Sequence, residues 1–163
     1  MILIALGANL PSFVGAPEAT FDAALKTLAE AGDIGLLARS RLYRSPAWPD
    51  ASQPEYRNAV ARIETCLDCV ALLARLHDIE ERFGRVRDKP NQPRPLDLDL
   101  LDYDSLIRNE SPLLPHPRMS ERAFVLLPLR EVAPGWRHPV SNASPDELMG
   151  ALSSQLKAGV SPV

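Results

Sequence analysis

The sequence predicts an α+β fold with a ferredoxin-like core. Three observations carry this reading. Apolar periodicity gives the order strand, helix, strand, strand, helix, strand over the first hundred residues, the order of a split βαβ core. The leading helical and extended segments are separated by short turn-forming stretches, with no linker long enough to divide the chain. The 163 residues are 45% hydrophobic and 24% charged, enough for one domain around a sizeable core.

Residues 2–6 (Ile-Leu-Ile-Ala-Leu) form a short buried strand, ended by Gly7-Ala8-Asn9-Leu10-Pro11. Gly7 and Asn9, taken alone, are ordinary turn formers. Residues 17–31 carry Ala19, Ala23, Ala24 and Leu28 at helical spacing, with Gly32 as the stop. Residues 34–43 form a second strand. A proline-rich loop over 45–54 holds Trp48, and loops of this length often carry binding function. Residues 55–64 form a third strand, on which Tyr56, Asn58 and Val60 share a face. That face either meets solvent or lines a pocket for a flat heterocycle, since a mid-strand amide needs polar partners. Residues 68–83 form a helix that Gly84 ends, with Cys66 and Cys69 near its start. Residues 146–156 form the last helix, and residues after about 157 fray.

The chemistry concentrates in residues 93–101, Pro-Arg-Pro-Leu-Asp-Leu-Asp-Leu-Leu. In a strand, Leu96, Leu98 and Leu100 face a core while Asp97 and Asp99 share the other face, their Cα atoms roughly 6.5 Å apart. Carboxylates that close repel unless a cation lies between them or one is protonated. A solvated acidic face gives the same pattern, but Arg94, Arg85 and Arg87 nearby favour a site for metal and phosphate. Magnesium is commonly held by one or two carboxylates plus substrate phosphates, and arginine offers a planar fork to phosphate oxygens. His116 stands between Pro115 and Pro117, which fix the backbone around its imidazole.

Composition excludes several classes. A net charge of −3 leaves no basic footprint for nucleic acid. No apolar run reaches membrane-span length, and residues 1–6 are too short and lack the basic start of a leader. The lone C-x-x-C pair has neither the second pair of a structural zinc site nor a redox context. Reduced cysteines and a cytoplasmic location are the expectation. The chain has no G-x-x-x-x-G-K-[ST], no G-x-G-x-x-G after a strand and no G-x-S-x-G elbow.

Four separated stretches share one further property. Gly7-Ala8-Asn9-Leu10, Tyr56-Arg57-Asn58-Ala59, the run 93–101, and Pro115-His116 followed by Arg122-Ala123-Phe124-Val125-Leu126 and Pro128-Leu129 resemble the 6-hydroxymethyl-7,8-dihydropterin pyrophosphokinase family in order and spacing over about residues 1–135. The resemblance implies the same fold, with helices on both faces of a mainly antiparallel sheet. It implies pyrophosphate transfer from ATP to the pterin hydroxymethyl group, releasing AMP, in folate biosynthesis. Asp97 and Asp99 would bind two magnesium ions. Arg85 and Arg94 would contact phosphate and support the rate. Glu80, Arg87, His116 and Arg122 would lie at the ATP site. Tyr56 and Phe124 would stack on the pterin, Asn58 would bind its edge, and backbone near Ser45 and Trp48 would complete the pocket. The partners implied are the two small-molecule substrates, bound by a monomer.

The chain departs from the family pattern at the arm, where Asn91-Gln92 replaces a Trp-Gly or similar pair. Ser111, Leu113 and Pro117 replace other residues common near the nucleotide. Two further readings stay open on the residues alone: a metal-dependent nucleotidyltransferase, which releases pyrophosphate instead of AMP, and a non-catalytic nucleotide-binding module. Neither requires Tyr56, Asn58 and Phe124 together.

Overall fold

A computed structural model describes residues 1–86 and 92–163. The elements are β1 (Ile2–Ala8), α1 (Pro17–Glu30), β2 (Ile34–Arg39), β3 (Tyr43–Ser45), β4 (Tyr56–Thr65), α2 (Cys69–Arg82), β5 (Asp97–Tyr103), α3 (Ala123–Val132), α4 (Pro145–Ala151), α5 (Ser154–Lys157) and β6 (Ser161–Pro162). Among the described residues, six strands form one sheet in the order β5-β1-β4-β3-β6, with β2 also on β4. All the pairings are antiparallel.

The helices cover both faces, as expected. Ile2, Ile4, Leu6, Leu96, Leu98 and Leu100 point to one face, against Phe21 and Leu28 of α1 and Leu72, Leu76 and Ile79 of α2. Leu3, Val60 and Leu101 point to the other, against Val125, Leu126 and Leu129 of α3, with Met119 and Trp136. Helix α2 starts where Asp68 accepts from the amides of Val70 (2.9 Å) and Ala71 (2.8 Å), a side-chain cap for orphan donors. It stops at Gly84, whose φ of +89° suits a residue with no side chain.

Three local features differ from the sequence reading. The strand expected over 34–43 is two strands, lying end to end along β4. Ser40 is the cause: its hydroxyl accepts from the Val60 amide at 3.1 Å, while its own amide donates to the Val60 carbonyl at 2.9 Å. A side chain thus replaces a rung of the ladder. The helix expected over 146–156 divides at Leu152, and Ser153 starts α5 by accepting from the Leu156 amide at 3.4 Å. The chain end is also tied down. Ser161 and Pro162 pair with Arg44 and Tyr43, and the Val163 amide donates to the Leu42 carbonyl at 2.9 Å.

One buried polar contact joins β5 to the segment after α3. Asp102, fully buried, accepts from Trp136 Nε1 at 2.5 Å and from the Ser105 amide at 2.9 Å. Asp102→Ala strands both donors, so unfolding free energy should fall by about 3 kcal/mol. Urea denaturation measures this, and a loss below about 1 kcal/mol would contradict a buried, doubly used carboxylate.

Candidate functional site

The second face of the sheet is only partly covered, and the site lies at its open end. Register sets the floor. Gly7 of β1 lies opposite Asn58 of β4 on one side and Asp97 of β5 on the other. Two residues earlier, Ala5 lies opposite Val60 and Asp99. Small residues on the central strand thus leave room between the amide and the carboxylates. A Cβ added at Gly7 would lie 3.6 Å from Asp97 Cβ, 3.9 Å from Asn58 Oδ1 and 4.0 Å from Tyr56 Cδ1. A longer side chain would fill that floor.

Asp97 is held by cations from both flanks. Arg85 Nη1 bridges Asp97 Oδ1 and Glu80 Oε1, and Arg94 Nη2 lies 3.1 Å from Asp97 Oδ2. Burial alone lowers the Arg85 pKa, but Asp97 and Glu80 outweigh it and raise the group above the ordinary arginine value. Glu80 is buried at 1% exposure and accepts from the Leu98 amide at 2.6 Å. One carboxylate on α2 therefore fixes both the β5 backbone and the arginine beside Asp97.

Asp99 has different neighbours. Arg122 Nη1 lies 3.5 Å and His116 Nε2 3.9 Å from its Oδ2. His116 Nδ1 accepts from the Arg118 amide at 3.2 Å, which leaves the proton of the neutral ring on Nε2, toward Asp99. Burial pushes the His116 pKa down; Asp99 opposes this, and Arg122 and Arg118 reinforce it. Burial also pushes the Arg122 pKa below the ordinary arginine value, opposed by Asp99.

A cleft of about 810 Å³ opens over this floor, lined by Gly7, Ser45, Trp48, Tyr56, Asn58, Arg94, Asp97, Asp99, Arg122 and Phe124 among others. This size and mixed lining suit a small-molecule site. Asn58 Nδ2 donates to Ser45 Oγ at 3.0 Å and to the Tyr43 carbonyl at 3.4 Å. The amide is thereby oriented, with its Oδ1 on the Gly7 side. Trp48 is 76% exposed at the rim. Arginines lie over both aromatic rings: the Arg94 guanidinium is 5.6 Å from the Tyr56 centroid, and that of Arg122 is 5.6 Å from the Phe124 centroid. Burial raises the Tyr56 pKa, so its phenol stays protonated at neutral pH.

The donor set fits magnesium. Among the described residues, no group of three or more His, Cys, Asp or Glu converges as a protein-only metal cage. Asp97 and Asp99 provide two hard oxygen donors on one face, and magnesium usually takes one or two carboxylates with water and phosphate completing the shell.

The sequence-derived residues Arg85, Arg94, Asp97, Asp99, His116 and Arg122 come together around the carboxylates, and Ser45, Trp48, Tyr56, Asn58 and Phe124 around the cleft. Glu80 sits behind Arg85, outside the cleft lining. Arg87 lies outside the described residues. Asn9, read from sequence as a plain turn former, anchors Arg94. Its Oδ1 accepts from the Arg94 amide at 2.8 Å, and the Arg94 carbonyl accepts from the amides of Asn9 and Leu10 at 3.1 and 3.2 Å. Its presence in Gly7-Ala8-Asn9-Leu10 was the available signal. Arg118 also lines the cleft, and only its nearness to His116 in sequence pointed there.

Comparison with known proteins gives one family. The family model described as 7,8-dihydro-6-hydroxymethylpterin-pyrophosphokinase matches residues 3–134. The 2-amino-4-hydroxy-6-hydroxymethyldihydropteridine pyrophosphokinase of Haemophilus influenzae is 42% identical over 131 residues, covering 80% of this chain and 79% of that protein. Its namesake from Pseudomonas aeruginosa is 38% identical over 148 residues, covering 90% and 89%. A solved structure of Plasmodium falciparum HPPK-DHPS aligns with a TM-score of 0.66 at 13% identity. It covers 99% of this chain and 45% of that one, so the likeness concerns the fold.

Glu80→Ala should lower unfolding free energy by about 3 kcal/mol, because it leaves the partly buried Arg85 charge and the buried Leu98 amide without this acceptor. Glu80→Gln, which keeps an oxygen for Leu98, should lose less. Equal urea midpoints for Glu80→Ala and wild type would refute this anchoring.

Proposed function

We infer the reaction from one premise: the chain belongs to the 7,8-dihydro-6-hydroxymethylpterin-pyrophosphokinase family. It is an ATP-dependent pyrophosphokinase of folate biosynthesis. It transfers pyrophosphate from ATP to the hydroxymethyl group of 6-hydroxymethyl-7,8-dihydropterin and releases AMP. The observation that carries this reading is the convergence in one cleft of a heterocycle-binding set, Tyr56, Asn58 and Phe124, with the charged set around Asp97 and Asp99.

In the proposed complex the pterin lies between Tyr56 and Phe124, with its polar edge on Asn58. Offset stacking of aromatic rings adds about 1 kcal/mol beyond area burial. Backbone near Ser45 and Trp48 closes the pocket. Arg85, Arg94, Arg87 and Arg122 bind the triphosphate, and Arg85, Arg94 and Arg122 have N–H donors beyond those used on the carboxylates. Glu80 holds Arg85 in position, and Asn9 does so for Arg94. Neutral His116 donates from Nε2 on the nucleotide side of Asp99. Asp97 and Asp99 would hold two magnesium ions, which supply charge neutralisation on the phosphate oxygens.

The substrate hydroxyl attacks the β-phosphorus of ATP, the new O–P bond forms, the bond from that phosphorus to the AMP oxygen breaks, and the hydroxyl proton is released to water. No protein nucleophile is required. Phosphoryl chemistry of this kind depends on positioning and charge stabilisation, which is what the two sets supply. The reading extends to one domain over residues 1–163 that acts as a monomer, since the cleft is built within one chain. A cytoplasmic location is supported by the free thiols of Cys66 and Cys69 and by the acidic composition. Among the described residues no helix is long and apolar enough to cross a membrane.

Incubation with ATP, magnesium and the pterin, followed by nucleotide separation, should give AMP only when the pterin is present. Pyrophosphate release instead would favour a nucleotidyltransferase. Asp97→Ala should lower AMP formation at least about a hundredfold, since metal-assisted charge stabilisation is worth several kcal/mol. Phe124→Ala should raise the pterin KM about tenfold, the equivalent of roughly 1.4 kcal/mol of lost stacking. Unchanged pterin KM in Phe124→Ala would remove Phe124 from the pocket.

A further inference from the structure

The family match ends at residue 134, yet the chain beyond it forms a wall of the cleft. Leu152, Ser153, Gln155, Leu156, Ala158 and Val160 all line it, facing the Ser45–Trp48 rim and Phe124. Leu152 packs into the core beneath α3. After α5, β6 adds to the outer edge of β3, and the Arg44 Nε–H donates to Ser161 Oγ at 2.8 Å. The tail is therefore attached to the strand that carries Ser45.

One contact couples the tail to the rim directly. Gly159 has φ +74°, and a Cβ there would lie 2.7 Å from Pro46 Cγ and 3.0 Å from Pro46 Cδ. Such distances cannot be relieved by swinging a flexible side chain, because the neighbour is a proline ring. Pro46 sits between Ser45 and Ala47-Trp48, all of which line the cleft. Any side chain at 159 must displace either the tail or the rim.

We propose that residues 152–160 are the outer wall of the substrate pocket, and that Gly159 is a positioning residue that sets the Ser45–Trp48 rim through Pro46. This rests on the pterin reading of the cleft above. The ligand the wall faces is a flat, neutral bicycle, which matches a lining of Leu152, Leu156 and Val160 with one amide at Gln155. The charged half of the cleft, around Asp97 and Asp99, has its own supports in Glu80 and Asn9. Perturbing the tail should therefore affect one substrate and spare the other.

The test uses full-length protein with two separate substitutions, Gly159→Ala and Leu156→Asp. Leu156 is half exposed, so its substitution leaves the core intact and decides the matter where Gly159→Ala fails to fold. Affinity is titrated for the pterin, with a non-hydrolysable ATP analogue and magnesium present, and separately for the analogue alone. Each variant should weaken pterin binding about tenfold, with analogue affinity held within about twofold. Steady-state kinetics should show the same split, a raised pterin KM with little change in kcat. Unchanged pterin affinity in the folded variants, or equal weakening for both ligands, overturns the inference. A wild-type chain that binds the analogue but no pterin overturns the underlying reading, and this one with it.

Discussion

The pleat of β5 is the constraint on which the site depends. Leu96, Leu98 and Leu100 are buried against α1 and α2, and each contributes on the order of 2 kcal/mol by leaving water. A one-residue slip against β1 would send those leucines to the open face and the aspartates into the core. The same packing that stabilises the sheet therefore presents Asp97 and Asp99 together at the open end. Gly7 and Ala5 on the adjoining strand keep that end free of bulk. Core and site are two faces of one strand, so the acidic pair cannot be lost by slippage without loss of the fold.

Once two carboxylates are forced onto one face, the electrostatics follow. Asp97 takes Arg85 and Arg94, while Asp99 takes Arg122 with neutral His116 alongside. Glu80 adds a third carboxylate beneath them, and its burial is tolerated because it is paired and accepts a backbone hydrogen bond. Guanidinium and carboxylate charges nearly balance in the cleft. A triphosphate brings several further negative charges, more than the arginines alone neutralise. That imbalance is a physical argument for divalent cations once ATP is the substrate.

How far the sequence was legible depends on the range of each interaction. Alternation in 96–101 and the Gly84 stop are local, and each sits where it was read. The break at Ser40 was not legible, because it depends on a hydroxyl meeting an amide twenty residues away on β4. Asn9 has the composition of a turn, and its grip on Arg94 spans 85 residues. Glu80 was placed at the ATP site by the resemblance, and helical phase turns it inward under Arg85, where it pairs with that arginine. The tail looked loose because residues 158–163 show no helical period, whereas their partner is the edge of β3. Two members of the proposed pterin set, Tyr56 and Asn58, were legible as sharing one face of β4. Phe124 joined it only through resemblance, since nothing local marks a residue of α3 as facing that strand.

The arginines over the two aromatics bear on the order of events. Arg94 covers Tyr56 and Arg122 covers Phe124, and a ring face occupied by a guanidinium cannot also stack on a heterocycle. Each such contact is worth about 1 kcal/mol near a surface, less than a charge-assisted hydrogen bond to phosphate, at about 1.5–3 kcal/mol. A bound triphosphate would therefore draw both arginines off the rings, freeing the faces that a pterin needs. Binding pterin first would require displacing the arginines with only Asp97 and Asp99, which they already contact, to receive them. We propose on this ground that ATP binds before pterin, through side chains shared between the two halves of one cleft.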